Sequence, residues 1–408
     1  MSVREAKGRE IADRARIVKE GDLYLVPSQS GKGKYKVRPD LPYCSCPDFD
    51  FRRQPCKHIF AVQVTIERTK TTVTENGKTT TTETVKVTRK TYAQPDWPAY
   101  HRAQVNEKRL FLYLLHQLCR GVGSPAQYGV GRKRLPLEDM IFAMAYKVYS
   151  TVSGRRFMSD LKDAHAKGYI SNLLCYNSIF NYFEMEMLTP HLQMLIEESS
   201  LPLASIETDF AVDSSGLSTC RFVQWVKAKY FDSDLRDKRD WIKVHLICGV
   251  KTNVVTAVEI TNQYGADTHY LKPLVDRTAQ GFVMNEVSAD KAYLSNKNLK
   301  AVVDNNAMPY IAFKSSSTGT DRRNSPLFKQ MFHYFSYNQE KFMRHYHKRS
   351  NVETTFHMIK SKFGDAVRSK TARAQINEAL CKVLCHNVVV LISAMHELNL
   401  KPKFYAAA

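Results

Sequence analysis

The sequence lacks a long apolar run. No stretch approaches the ~20 consecutive apolar residues of a membrane-spanning helix, and the opening residues, MSVREAKGRE, contain no apolar signal core. We therefore expect an intracellular, cytoplasmic protein. With 408 residues, 43% of them hydrophobic, the chain can form two or three domains with buried cores.

Acidic residues are also scarce. Forty Asp and Glu stand against sixty Lys and Arg, which gives a formal net charge of +20. A charge of this size says nothing about the fold, but it favours a polyanionic partner. Nucleic acid is favoured over a membrane surface, because no long amphipathic basic helix stands out.

Three of the nine cysteines form one cluster near the start of the chain. Cys44, Cys46 and Cys56 lie close together and the others are scattered, which suggests metal ligands and reduced core thiols rather than disulfides. With His58 the cluster reads Cys-x-Cys, nine residues, Cys-x-His. Two close pairs joined by a short loop can hold zinc tetrahedrally without a preformed core. The alternative is a pair of buried thiols and a helix-capping His58.

The sequence around this cluster predicts a small domain. Residues 9–19 predict a short helix, residues 23–37 alternate like a β-hairpin, and an apolar helix begins after His58. The order of ligands resembles the SWIM-type zinc finger. The resemblance implies a small ββα finger over residues 1–65. Its Zn²⁺ is expected to be structural, because four protein ligands leave no open position for water.

Residues 66–97 are rich in threonine. Asn76 and Gly77 at their centre are a strong hairpin signal, which predicts a protruding two-stranded ribbon. A flexible linker is the alternative, because a two-stranded ribbon without an apolar face is marginally stable. Either structure would separate the finger from the rest of the chain.

A single acidic residue, Glu353, lies in a basic helical pattern near the end of the chain. Arg349 and Lys360 fall on the same helix face, so an exposed ion-pair ladder is the simplest interpretation. The full spacing is Tyr346, two residues, Arg349, three residues, Glu353, six residues, Lys360. It resembles the Tyr-Arg-Glu-Lys (YREK) signature of DDE transposases from bacterial and archaeal insertion sequences.

This resemblance implies an α/β ribonuclease-H-like (retroviral-integrase-like) core over residues 201–400. It requires two aspartates at the ends of strands, and Asp213 and Asp290 each close an apolar run. The resemblance implies that Asp213, Asp290 and Glu353 are catalytic and bind Mg²⁺ or Mn²⁺, with Asp213 bridging two ions. The pattern predicts strands and a later helix followed by a strand, over residues 208–212, 221–229, 243–250, 254–259 and 301–313.

Several features around this core have two interpretations. Helical periodicity over residues 98–200 resembles a helix-turn-helix-like DNA-binding region, or it forms a bundle that wraps the core. Lys243 and His245 resemble a Lys-x-His element of these transposases, or they mark a solvated strand end. Cys381, Cys385 and His386 suggest a second metal site, although core packing of an apolar helix is favoured.

The resemblance implies a prokaryotic, nucleoid-associated transposase. Such an enzyme binds the terminal inverted repeats of a mobile element as a homodimer, cleaves the DNA and joins 3′-OH ends to target DNA. Tyr346, Arg349 and Lys360 are implied to contact double-stranded DNA. Between Asp290 and Glu353 lie 62 residues, too few for the β-insertion with which some relatives grip a DNA hairpin. The alternatives are a domesticated, non-catalytic DNA-binding factor and a ribonuclease-H-like nuclease without strand transfer.

Overall fold

The structure is a computed structural model of the chain. It describes residues 3–15, 17–29, 33–38, 43–52, 54–67, 70–75, 78–83, 96–124, 135–219, 241–314, 317–319, 321, 324–402 and 404. By its internal contacts the chain divides into two compact units, Met1–Pro95 and Asp96–Ala408. Each unit is described by itself.

The first unit combines an antiparallel sheet with short helices. In chain order its elements are α1 (Val3–Arg14), β1 (Val18–Glu20), β2 (Leu23–Pro27), β3 (Lys34–Arg38), β4 (Tyr43–Cys44), α2 (Pro47–Arg52), α3 (Lys57–Glu67), β5 (Lys70–Glu75) and β6 (Lys78–Glu83). The first four strands are hydrogen-bonded in sequence order, and all neighbours run antiparallel. The pairing of β2 with β3 confirms the predicted hairpin.

The first residues depart from the sequence pattern. The helix expected over residues 9–19 begins earlier and ends at Arg14, and Val18–Glu20 forms an edge strand instead. Gly21 has a φ of 59°, in the left-handed region that glycine adopts without steric cost. This tight turn lets β1 pair with β2, so strand pairing overrides the local helical pattern.

The core of the first unit is small. Val26, Val37 and Ile59, from β2, β3 and α3, are fully buried beside the three clustered cysteines. Helix α1 packs closely on α3, because a Cβ at Gly8 would lie 2.5 Å from Cβ of Phe60. A core of this size supplies little stability. The folding of this unit therefore depends on a ligand bound by its clustered cysteines.

The threonine-rich segment contains two paired strands. β5 and β6 run antiparallel in register from Lys70↔Glu83 onwards. They form the two-stranded ribbon that the sequence predicts. The Asn76–Gly77 turn itself lies outside the described residues.

The second unit packs helices around a mixed sheet. Its helices are α4 (Trp97–Cys119), α5 (Leu137–Ser150), α6 (Gly154–Ala166), α7 (Tyr176–Phe183), α8 (Leu188–Ser200), α9 (Leu271–Thr278), α10 (Asn296–Asp304), α11 (Pro326–Tyr337), α12 (Gln339–Tyr346), α13 (Ser350–Phe363) and α14 (Ala372–Glu397). Its strands are β7 (Asp209–Ser218), β8 (Trp241–Gly249), β9 (Val255–Asn262), β10 (Glu286–Ala289) and β11 (Met308–Ile311). Short 3-10 turns lie at Leu201–Leu203, Asp267–His269, Lys291–Tyr293 and His347–Arg349.

The five strands of this sheet have the order β11-β10-β7-β8-β9. β7, β8 and β9 are antiparallel, whereas β10 and β11 run parallel to β7. Helices α9 and α10 lie in the two connections that make parallel pairing feasible. The mixed sheet is compatible with the expected ribonuclease-H-like core.

Most of the predicted strands of this sheet are present, with one difference at β7. The strand predicted over residues 221–229 lies outside the described residues. β7 is longer than its apolar run, because its pairing with β8 continues to Ser218↔Trp241. Asp213 therefore lies inside a strand and not at its end, whereas Asp290 directly follows β10.

The helices that precede the sheet share its core. Phe142 of α5, Leu192 of α8 and Leu384 of α14 are fully or almost fully buried in one apolar cluster that also contains Val258 of β9. Residues 98–200 are therefore not a separate compact unit. This packing agrees with the helical-bundle interpretation, and DNA binding by these helices stays a prediction.

Helix α14 is the centre of this unit. By length and composition it could cross a membrane, but 78% of its most apolar window is buried inside the fold, as in the core helix of a globular protein. Cys381 and Cys385 are fully buried, and the Cys385 thiol donates to the carbonyl of Ala145 at 3.2 Å. His386 bonds the carbonyl of Asn253 at 2.9 Å. These contacts support core packing and not a second metal site.

Candidate active site and zinc centre

Four buried side chains of the first unit converge. Cys44 ends β4, Cys46 and Cys56 directly precede α2 and α3, and His58 lies in the first turn of α3. Their ligand atoms all lie within 4.8 Å of one another, and His58 Nδ1 is 3.8 Å from Sγ of both Cys44 and Cys56. A zinc tetrahedron with bonds of ~2.0–2.3 Å has edges of ~3.6 Å. The four side chains therefore fit a zinc ion.

The electrostatics of this cluster also suit zinc. A hydrogen bond from Cys44 lowers the pKa of Cys56 to about 3, whereas burial raises the pKa of Cys46. The backbone N–H of Phe49 donates to Cys46 Sγ at 3.4 Å. Zinc binds thiolates, and a cation offsets the cost of burying their charge.

The register of two parallel strands brings Asp213 and Asp290 together. Val212 of β7 is paired with Ala289 of β10, and each aspartate is the next residue. Both carboxylates therefore leave the sheet at the same level, on neighbouring strands. The two carboxylates also interact electrostatically, because the negative charge of Asp290 raises the pKa of Asp213.

Arg349 connects the third acidic residue to this pair. It ends the 3-10 turn before α13. Its Nη1 donates to Asp213 Oδ2 at 2.8 Å and its Nη2 to Glu353 Oε1 at 2.7 Å. One guanidinium thus bridges a strand carboxylate and a helix carboxylate that are far apart in sequence. Glu353 remains accessible, with 61% of its side chain exposed.

The site has more negative charge than Arg349 can offset. Burial raises the pKa of Asp213, and Asp290 and Asp267 raise it further, against the lowering effects of the Ser214 N–H and Arg349. Among the described residues, only the Cys/His cluster has three or more ligand atoms within 4.8 Å of one another, so the three carboxylates stand farther apart. Oxygen donors with uncompensated charge fit a hard divalent cation.

Tyr346 and Lys360 lie on either side of this arrangement. The Tyr346 hydroxyl donates to Asp290 Oδ1 at 3.5 Å, and burial raises the pKa of Tyr346. Lys360 Nζ donates to Ser215 Oγ at 2.7 Å, two residues beyond Asp213 on the same face of β7. The structure thus brings Arg349 and Lys360 to β7 and Tyr346 to Asp290 after β10, and it links Glu353 to Asp213 through Arg349.

The sequence did not indicate Asp267, which lies in the turn after β9. Its Oδ1 accepts from Ser214 Oγ at 2.6 Å, pairs with Lys243 Nζ at 2.7 Å and lies 3.4 Å from His245 Nδ1. Burial lowers the pKa of His245 to about 4, so this ring is neutral at pH 7. The Lys-x-His element thus lies beside the site, on β8, the antiparallel neighbour of the strand that carries Asp213. The half-buried Lys243 needs a negatively charged partner, and this was the signal in the sequence that could have pointed to Asp267.

Two family models match the chain. The model of the transposase DDE domain matches residues 205–388, and that of the SWIM zinc finger matches residues 34–62. Residues 205–388 are a transposase DDE domain. Comparison with curated proteins and with solved structures gave no match.

The DDE domain contains all three candidate carboxylates, and the SWIM finger contains all four candidate zinc ligands. These matches confirm the two family resemblances, and the DDE domain implies a ribonuclease-H-like fold and a DNA-binding protein. The matches do not test the Tyr-Arg-Glu-Lys spacing or the role of any single residue. Those assignments stay predictions.

Proposed function

We propose that this chain is a metal-dependent DNA transposase that binds the inverted repeats of a mobile element, cleaves the strands and joins their 3′-OH ends to target DNA. The observation that carries the proposal is the register that sets Asp213 and Asp290 side by side, with Glu353 tied to Asp213 through Arg349. Nothing in ordinary packing requires acidic residues of β7, of α13 and of the position after β10 to be gathered in one place.

Asp213, Asp290 and Glu353 are proposed to hold two Mg²⁺ or Mn²⁺ ions. When bound, such ions activate the attacking oxygen and stabilise the leaving oxygen of a phosphodiester. The carboxylates supply the hard oxygen donors, and Asp213, which lies inside β7 beside Asp290 and binds Arg349, is the proposed bridging ligand. The backbone N–H of Ser214 donates to Asp213 Oδ1 at 2.8 Å, and the Ser214 hydroxyl donates to Asp267.

Arg349 is proposed to bind carboxylates in the metal-free site and a DNA phosphate once the metal ions are bound. In the structure its guanidinium is bound to Asp213 and Glu353. Once cations neutralise these carboxylates, the same planar fork is free to bind a phosphate of the cut strand in two-point fashion. Lys360 adds a point charge farther along β7, and Tyr346 is proposed to fix the strand end beside Asp290.

The surroundings of α13 are strongly basic. Residues 341–373 contain nine Lys or Arg and two acidic residues. A charge of this density suits a DNA backbone. We propose double-stranded DNA as the partner, a homodimer in the DNA complex, and a cytoplasmic, nucleoid-associated location.

The proposal is tested by incubating the zinc-loaded protein and Mg²⁺ with DNA that carries the inverted repeats flanking its gene, plus a target plasmid. We expect nicks at the element ends and joining of the released 3′-OH ends to the plasmid. Cleavage without joining would indicate a nuclease. Specific binding without cleavage would indicate a DNA-binding factor.

Neutralising Arg349 or Lys360 is expected to weaken binding to element-end DNA. Each lost phosphate contact should reduce the salt slope of binding by about one unit. Joining should fall more than first-strand nicking, because aligning a 3′-OH with target DNA tolerates less misplacement than activating water. The measurement compares Arg349→Ala and Lys360→Ala for nicking, joining and salt-dependent binding.

The matched control for these variants is Lys300→Ala. Lys300 is an exposed lysine of α10 that pairs with Asp304, so its loss should leave DNA chemistry unchanged. If Arg349→Ala and Lys360→Ala join DNA like the wild type, both residues are only surface partners of the helix.

A further inference from the structure

A second pair of carboxylates lies at the first residues of β7 and β10, the strands that lead to Asp213 and Asp290. Asp209 begins β7 and Glu286 begins β10, and the two residues are register partners. Each lies four residues before Asp213 or Asp290. Because side chains alternate along a strand, residues four apart point to the same face. The sheet therefore presents two acidic pairs on one face, one at the first residues of β7 and β10 and the other four residues farther along.

A lysine outside the predicted signature binds this second pair. Lys348 Nζ lies 2.7 Å from Asp209 Oδ2 and 2.5 Å from Glu286 Oε1. The other carboxylate oxygen of Glu286 pairs with His345 Nδ1 at 2.6 Å, and the His345 ring stacks on Tyr310 at 4.5 Å. Glu286 is 7% exposed, so the acidic end of this ion pair is shielded from solvent, whereas the Lys348 side chain is 33% exposed.

Lys348 and Arg349 are adjacent, yet they bind β7 at two separate positions, its first residue Asp209 and its interior residue Asp213. Four strand residues, about 13 Å, separate Asp209 from Asp213. The 3-10 turn that carries both cations is therefore tied to β7 at two points. Helix α13 begins at Ser350, directly after this turn. The position of the turn along β7 thus determines where Glu353 lies relative to Asp213.

We propose that Lys348 is a positioning residue for the metal site, which rests on the proposed function of the three carboxylates. By binding Asp209 and Glu286 together, Lys348 fixes the turn against both strands. It thereby sets the Tyr346-to-Glu353 segment in register with Asp213 and Asp290. Arg349 cannot do this alone, since its own partners are the residues that would bind the ions.

The test measures Mn²⁺ binding and hydrogen exchange in the zinc-loaded full chain. Lys348→Met is expected to weaken Mn²⁺ binding by about 10-fold to 100-fold, as loss of a group that orients ligands does. In metal-free protein, amide exchange in residues 346–353 should accelerate while that of α14 does not. Lys348→Arg should restore both properties, because a guanidinium can also bridge two carboxylates.

Two further variants keep the test decisive. Lys300→Met removes an exposed lysine from an ion pair elsewhere and should change neither measurement. Asp209→Asn retains the pairing of Lys348 with Glu286, so it should fold and show an intermediate loss of Mn²⁺ affinity even where Lys348→Met does not fold.

Three outcomes would overturn the proposal. One is wild-type Mn²⁺ affinity in folded Lys348→Met. Another is wild-type affinity in Asp209→Asn, and the third is a loss that Lys348→Arg fails to restore. Failure of the proposed function has a different signature, because Asp213→Asn would then leave Mn²⁺ binding unchanged. That result would show that the three carboxylates do not bind the metal ion.

Discussion

Asp213→Asn, Asp290→Asn and Glu353→Gln are each expected to abolish Mg²⁺-dependent cleavage of element-end DNA. Each change keeps the shape of the side chain but removes a charged oxygen ligand. Metal ions contribute several kcal/mol to phosphoryl transfer, and ~4 kcal/mol corresponds to about a thousand-fold in rate. Binding of the DNA should remain nearly unchanged, because none of these changes removes a cation that contacts phosphate.

The measurement is a cleavage time course with a binding titration on the same DNA. Asp304→Asn is the matched control, because Asp304 is a carboxylate of α10 whose ion pair with Lys300 is exposed. Normal cleavage by any one of the three variants would exclude that residue from the site. Loss of binding together with cleavage would instead point to misfolding.

Removing zinc, or changing Cys56→Ser, is expected to unfold residues 23–65 and leave residues 96–408 folded. The binding energy of a structural zinc site is folding energy, ~10–16 kcal/mol in small domains. The apolar core of this unit consists partly of the ligand cysteines themselves, so little else can replace the metal. The second unit has its own, much larger core.

Hydrogen exchange read out by peptide would separate the two units, with metal analysis of the purified protein beside it. Cys175→Ser is the control, since Cys175 is an exposed free cysteine and its loss should leave both the zinc content and the exchange unchanged. Purified protein without zinc, or a finger that stays protected after chelation, would contradict the assignment.

Local spacing alone predicted much of this chain. The four zinc ligands could be read from sequence because two short pairs on one hairpin-to-helix segment can meet without distant partners. Glu353, Arg349 and Lys360 were identified together because their spacing resembles the Tyr-Arg-Glu-Lys signature, whereas the helix-face spacing alone predicted only an ion-pair ladder. The hairpin of β2 and β3 and the helix-then-strand at α10 and β11 also follow from patterns within a few residues.

Other features depend on which strand pairs with which, and sequence periodicity does not contain that information. β7 extends past Asp213 because β8 offers it further hydrogen bonds. Likewise, β1 is a strand because β2 pairs with it. In both cases a distant or neighbouring strand decided the structure against the local pattern.

The sequence by itself determined the kinds of side chain available: three carboxylates, a basic helix and a zinc-binding quartet. Only the tertiary structure decided their partners. The register of β7 with β10 brought Asp213 and Asp290 together, and it set Asp209 beside Glu286 for Lys348 to bind. Such contacts join residues about 60 to 140 positions apart. They form only when the sheet is complete, because strand register is fixed by the whole pattern of burial and pairing.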